Sequence, residues 1–435
     1  MNNVLTKELC LSNIQNLTEK MLLDLLEDEK YSVIITDEQH LKEEKEVCWQ
    51  RRKATLQRVV HKTTISIRHK REKISARLEI GTVNVEERVF SQCDLYISYT
   101  KKNIEQVEKF LGEVLKKSIF VLVEPNIWER ASQLAGYYQP LISLRYQRDD
   151  IKTALDTHLF WQIFLINQGW VDFLCKPLER ITLRQLRVKL RRLRSCLAFF
   201  KPVLEQPQAS LWQTELRRQG EELSLLRELD VALMAIEKFS ANTTQEELAQ
   251  EYLAKILSQA RAIEAKRVKQ KMQLATLTFT FARLIMWLSD EPLTASCERY
   301  GLESFFRRRI REWSKNIISL TQRYPDFSDV EKMHKIRIKV KKFRYVMMSF
   351  PEINHNTNTM LRRLKKLQDM LGFLHDEYIN KELAQRIMQA DGSKTSLKQT
   401  VFCGWESAKT AEALAIVPDL WEDFCEDLEL WRDTI

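Results

Sequence analysis

Apolar positions along this chain follow two periods. Over residues 1–140 short alternating runs mix with helical ones. Thr63–Val83 alternates Ile65 and Ile67, then Ile74, Ala76, Leu78 and Ile80, with polar neighbours, which predicts two strands around a turn at His69–Glu72. Arg88–Thr100 predicts a third strand, and Ser118–Pro125 a fourth that Pro125 ends. Helical spacing marks Asn13–Lys30, Asn103–Lys117 and Asn126–Gly136. In the second of these Ile104, Val107, Phe110, Leu111 and Leu115 fall on one side, and the third stops at Gly136. From about Asp149 onward the period is helical almost throughout, with Pro177, Pro202, Pro207, Pro292, Pro325 and Pro351 between helices. The expected fold class is mainly α: a small α+β domain over residues 1–140, then a helical domain over 149–435.

The helical part contains a repeat. Leu183–Ser195, "LRQLRVKLRRLRS", lies over Met333–Tyr345, "MHKIRIKVKKFRY", at a constant offset of 150 residues (184 to 334). Arg184 then meets His334, Arg187 meets Arg337, Lys189 meets Lys339, Arg191 meets Lys341 and Arg194 meets Arg344. Each basic segment is followed by another helix with an acidic turn, in Leu223–Ile236 and in Leu364–Ile379. An internal duplication is the reading, with repeats at about 149–250 and 255–435 forming similar antiparallel bundles about a pseudo-twofold axis.

At about 100° per residue, Leu186, Leu190, Leu193 and Leu197 form one narrow stripe. Arg184, Arg187, Arg191 and Arg194 fill the quadrant beside it, and Lys189 and Arg192 lie elsewhere. In the second copy Ile336, Val340, Phe343 and Met347 form the stripe, with His334, Arg337, Lys341 and Arg344 beside it. Like charges on one helix repel, so stability alone does not favour this pattern once, still less twice in matched phase. A line of cations next to a core lies in a groove, where low-dielectric walls strengthen attraction for an anion. Arginine suits phosphate because its planar fork reaches two oxygens at once. The alternative is a solvated face paired to acids on neighbouring helices. The acidic turns Arg227–Asp230 and His375–Glu377 read either as catalytic carboxylates or as groups that orient arginines and cap helices.

Composition narrows the partner. In 435 residues, 69 Lys and Arg against 60 Asp and Glu leave a net charge of +9, and it is clustered, which points to polyphosphate, nucleic acid or a membrane surface. Base readout usually needs aromatic platforms among the cations. The two quadrants have none, and Tyr345 lies just beyond one, which disfavours nucleic acid. Leu274–Leu288 is too short to span a bilayer and contains Arg283, so it predicts a buried helix and no membrane insertion. None of the eight cysteines forms a CxxC pair, and the opening "MNNVLTKELC" lacks the shape of a signal peptide, so reduced thiols in a cytoplasm are expected.

"RQLRVKLRRLR" and "HKIRIKVKKFRY", with "RELDV" (Arg227–Val231) and "LQDMLGFLHD" (Leu367–Asp376), resemble the CHAD family, the conserved histidine α-helical domain. One departure is that Arg184 stands where the family has its first histidine, leaving His334 as the second. The resemblance implies two four-helix bundles and binding of inorganic polyphosphate in a basic groove, with association with polyphosphate granules. The residues it assigns to the polymer are Arg184, Arg187, Arg191, Arg194, His334, Arg337, Lys341 and Arg344. Lys189, Arg192, Lys335, Lys342, Arg362 and Lys366 are further contacts.

Residues 1–140 resemble a shortened, degenerate CYTH domain, a triphosphate-tunnel barrel that hydrolyses triphosphate with Mg²⁺ or Mn²⁺. The family's opening ExExK appears as Glu8-Leu9-Cys10-Leu11-Ser12. The hairpin still offers Arg68, Arg77 and Glu79, the next strand retains only Asp94, and the closing segment keeps Arg130 but has Ile127 for its lysine. Hard metal ions need several converging oxygens, and phosphoryl transfer is nearly all positioning and charge stabilisation. This reading therefore assigns no catalytic residue, metal or cofactor, and treats the domain as a packing or dimerisation remnant with barrel strands missing. A rearranged triphosphatase using Mg²⁺ or Mn²⁺ is the alternative.

Overall fold

The structure, a computed structural model, describes residues 7–13, 15, 17–27, 30–49, 52–123, 125–134, 150–238, 244–290, 293–294, 301–323, 329–350, 357–390 and 397–433. They fall into two compact units. The first takes Met1–Ile142 together with Asp156–Cys175 and Met272–Pro292, and the second takes Ser143–Leu155, Lys176–Lys271 and Leu293–Ile435. The helical region expected over 149–435 thus contributes segments to both.

The first unit is built on one antiparallel sheet. Its elements are β1 (Lys7–Asn13), α1 (Glu19–Leu26), β2 (Ser32–Trp49), β3 (Arg52–His69), β4 (Glu72–Val85), β5 (Arg88–Tyr99), α2 (Ile104–Lys117), β6 (Phe120–Leu122) and α3 (Ile127–Leu134). The strand order is β2-β3-β4-β5-β1-β6. The predicted hairpin turns at Lys70, which takes a positive φ of 54°, and its register sets Ile65 opposite Ala76 and Ile67 opposite Ile74. The sequence reading misses β1, β2 and the first half of β3. From Asp37 to Glu46 only Leu41 is apolar, so no alternation marks β2, and its side chains are mostly exposed. Gly136 lies outside the described residues.

Two helices from later in the chain complete this unit: the Asp156–Cys175 part of α4 (Ile151–Cys175), and α9 (Leu274–Ser289), the apolar run predicted to be buried. They cover the edge strand β6. Asn167 donates to the Leu122 carbonyl (3.2 Å) and Thr278 to the Phe120 carbonyl (3.0 Å), satisfying acceptors that an open edge would expose. Gly81 marks a close approach of β4 to β3, since a Cβ there would lie 2.0 Å from the Val59 carbonyl oxygen. Gly81→Ala must part the ladder or bend the strand. We expect it to cost about 1–3 kcal/mol in a denaturant titration, as for overpacked sites.

The second unit is helical. It contains α5 (Arg180–Phe200), a 3₁₀ turn at Lys201–Val203, α6 (Gln208–Glu222), α7 (Ser224–Lys238) and α8 (Thr244–Lys271). It continues with α10 (Leu302–Arg323), α11 (Val330–Ser349), α12 (Thr357–Ala390) and α13 (Leu397–Asp433). α5 packs on α11 and on α7, while α12 packs on α11 and on α7. The two basic helices are therefore neighbours, and so are the helices that carry the acidic turns. Phe199, Phe200, Phe305, Phe306 and Phe350 lock α5, α10 and the end of α11 together, with ring centroids from 4.7 Å (Phe306–Phe350) to 6.2 Å (Phe199–Phe350). No helix among the described residues is long and apolar enough to cross a membrane.

Candidate anion site

Each basic helix is held by its apolar stripe. Leu183, Leu186, Leu190, Leu193 and Leu197 are buried on α5, and Met333, Ile336, Val340, Phe343 and Met347 on α11. Asp329 caps α11, its carboxylate accepting from the Lys332 N–H at 3.1 Å. The burial class repeats position by position from 190–200 to 340–350. Arg192 ties the two helices together, its Nε donating to Ser349 Oγ (2.8 Å) and its Nη2 to the Met348 carbonyl (3.0 Å). It serves the helix contact and stands apart from the line of cations. Lys342, its counterpart, is half-buried, and burial followed by Lys339 and Arg194 lowers its pKa.

Arg187 and Arg191 of α5 lie close to Arg337 and Lys341 of α11. Arg187 donates from Nη1 to the Gly220 carbonyl (2.7 Å) and to Ser224 Oγ (3.3 Å), which fixes it at the α6–α7 junction. Burial, then Arg191 and Arg227, push its pKa down to about 10. Arg337 donates to Asp376 on α12 at 3.3 Å, and Arg344 to Gln368 on α12 at 3.2 Å. Lys341 is the most perturbed of the set. Burial first, then Arg337, Arg191 and Arg187, push its ammonium down to about 6, with Asp376 the opposing charge. His334 is lowered by burial and then by Arg337 and Lys341. Arg194 is lowered by burial and then by Arg217 of α6 and by Arg191.

The guanidinium Nε atoms of Arg187, Arg191, Arg194, Arg337 and Arg344 are buried and meet no acceptor among the described residues. A buried unsatisfied donor typically costs about 1–3 kcal/mol, so five on one pair of helices mark a place where oxygen acceptors belong. The outer positions differ. Arg184, Lys335, Arg362 and Lys366 are exposed and Lys189 is half-buried, while Arg362 donates to Thr359 on its own helix at 3.3 Å.

Arg227 is the member that sequence reading overlooked. It projects from α7, is half-buried, and is lowered by burial against the pull of Asp230 and Asp376, with Arg184 and Arg191 adding to the lowering. Its sequence signal is the arginine that opens "RELD". The two acidic turns take different partners. Asp230 is fully buried and accepts from Arg261 of α8 at 2.5 Å, whereas Asp376 meets the basic helix through Arg337. The His375 side chain lies outside the described residues.

The first unit carries its own buried charges on one sheet face. Register places Ser12 opposite Asp94, Cys10 opposite Tyr96, and Glu79 opposite Asp94. Arg130 from α3 grips both oxygens of Asp94, one at 3.1 Å and the other closer. Arg58 donates to Glu79 (2.5 Å), Glu43 (2.7 Å) and Gln92 (3.0 Å), and Arg77 to Glu79 (2.9 Å) and to Glu8. Burial would raise Glu79, but Arg58 and Arg77 hold it below the usual carboxylate range. Burial and then Asp94 push the Cys10 thiol up, keeping it protonated. Asp94, Glu79, Glu43 and Glu8 are thus each held by an arginine. Among the described residues no group of three or more His, Cys, Asp or Glu could hold a metal ion.

Comparison with known proteins bears on the helical unit. Residues 178–385 match the family described as the CHAD domain. No curated protein matches the chain. The structure resembles the CHAD domain from the plant Ricinus communis, with 21% identity and a TM-score of 0.53, over 63% of this chain and 92% of that one. It also resembles PptA from Streptomyces chartreusis, with 15% identity and a TM-score of 0.50, over 64% of this chain and 100% of that one. At such identities the likeness is one of fold. The basic helices α5 and α11 with the helices packed on them, residues 178–385, are therefore a CHAD domain.

Proposed function

We propose that the protein binds inorganic polyphosphate at the cations of α5, α7 and α11. The observation that carries this reading is Lys341, set among Arg187, Arg191 and Arg337 with Asp376 as its opposing charge. So much buried positive charge is tolerable where an anion neutralises it. The spacing along two helices suits a linear polymer of phosphoryl groups rather than one compact ion. Tyr345 is buried and offers no stacking platform, which favours an anion without bases.

In this reading the CHAD domain consists of two bundles related by a pseudo-twofold axis. The pairing of α5 with α11 and of α7 with α12 supports that relation. The sheet unit is then a degenerate CYTH-like domain that packs or recruits a partner, and its internally paired carboxylates support that over a triphosphatase. We expect the protein to gather where polyphosphate does, at cytoplasmic granules.

The test is competition between medium-chain polyphosphate and duplex DNA of equal total charge. Polyphosphate should bind at least about tenfold tighter, a difference of about 1.4 kcal/mol, and both affinities should fall with salt. Equal affinities would reduce the site to a general cationic surface.

A further inference from the structure

We propose that the Asp376 carboxylate is a built-in counter-ion that competes with the ligand and so discriminates against short phosphate anions. This rests on the polyphosphate reading above. Asp376 lies on α12, where it accepts from Arg337 Nη2 at 3.3 Å, and it is also within electrostatic reach of Arg227 on α7 and Lys341 on α11. One carboxylate therefore faces cations from two other helices.

An orienting role would show as short, forked hydrogen bonds. Among the described residues Asp376 makes one long contact instead, and the Arg337 Nε meets no acceptor. The contrast within the same unit is Asp230, fully buried and bonded to Arg261 at 2.5 Å. The Asp376 side chain is 40% exposed, so it can turn into water when an incoming phosphoryl oxygen takes its place. A short anion sits wholly within this cluster and must displace the carboxylate. A long chain also reaches Arg194 and Arg344 and can bind beside it.

The experiment compares tripolyphosphate and long-chain polyphosphate on the full chain, with Asp376→Asn and Asp376→Ala. Asparagine keeps an oxygen acceptor for Arg337 and removes only the charge. Both variants should bind tripolyphosphate about tenfold tighter, gain less for the long chain, and show a steeper salt dependence. Asp376→Asn binding like the wild type while Asp376→Ala binds more weakly would make Asp376 a positioning residue and overturn the proposal. Wild-type protein that binds neither ligand would instead overturn the polyphosphate reading, and this inference with it.

Discussion

Replacing Lys341 by methionine stabilises the ligand-free protein and weakens its hold on polyphosphate. The lysine ammonium is held at about 6 against an ordinary 10.5, because burial and then Arg337, Arg191 and Arg187 oppose its charge. Between those two values the unfolded chain binds one more proton than the folded protein, so stability rises with pH across that window. Methionine keeps the apolar stem and omits the charge. The gain at pH 7 should be about 1–3 kcal/mol by denaturant titration, after allowance for the half-exposed position.

Ligand binding reverses the sign. A polyanion restores the Lys341 proton, so binding near pH 7.5 should take up close to one proton. Affinity should fall by up to about tenfold per pH unit above that point. Calorimetry in buffers of different ionisation enthalpy measures this uptake directly. His334 is lowered as well in the free protein, by burial and then by Arg337 and Lys341. Lys341→Arg should bind the polymer without the uptake. Binding by the wild type with no proton exchange between pH 7 and 8 would remove Lys341 from the site.

Charge reversal on either basic helix should damage one shared site. Arg187 is a poor choice, because its bonds to Gly220 and Ser224 hold the α6–α7 junction, and a carboxylate there would disturb the fold as well. Arg191→Glu on α5 and Lys341→Glu on α11 are cleaner. Arg191 acts on Arg187, Arg227, Arg337 and Lys341, so its reversal is felt by every helix that lends a cation. Each variant should keep its helical circular dichroism and lose polyphosphate affinity by about 2–5 kcal/mol, the range for truncated charge pairs at interfaces. The double variant should lose less than the sum, since neighbours in one site couple. Strict additivity would mean two separate surfaces, and undiminished affinity at low salt would leave both helices as solvated faces.

The repeat, the apolar stripes and the cation lines of α5 and α11 could all be read from residue order. They depend on the 3.6-residue period, a local property that any helix expresses wherever it sits. The hairpin around Lys70 was legible for the same reason, through the period of two. β2 was not, because a largely exposed strand has no buried face to impose alternation. Its place comes from pairing with β3 along its whole length.

Membership of the site was decided by packing. Arg191 and Arg192 are adjacent in sequence and equal in charge, yet one faces the cations of α7 and α11 and the other ties α5 to Ser349. Asp230 and Asp376 close similar acidic turns, and the fold gives the first to Arg261 in the core and the second to Arg337 at the site. Arg227 joins because α7 crosses α5 where it does. A sequence period specifies which side of a helix is buried. Which charges from separate helices meet depends on the crossing of their axes, set by side-chain interdigitation over the whole core, and no single segment encodes it.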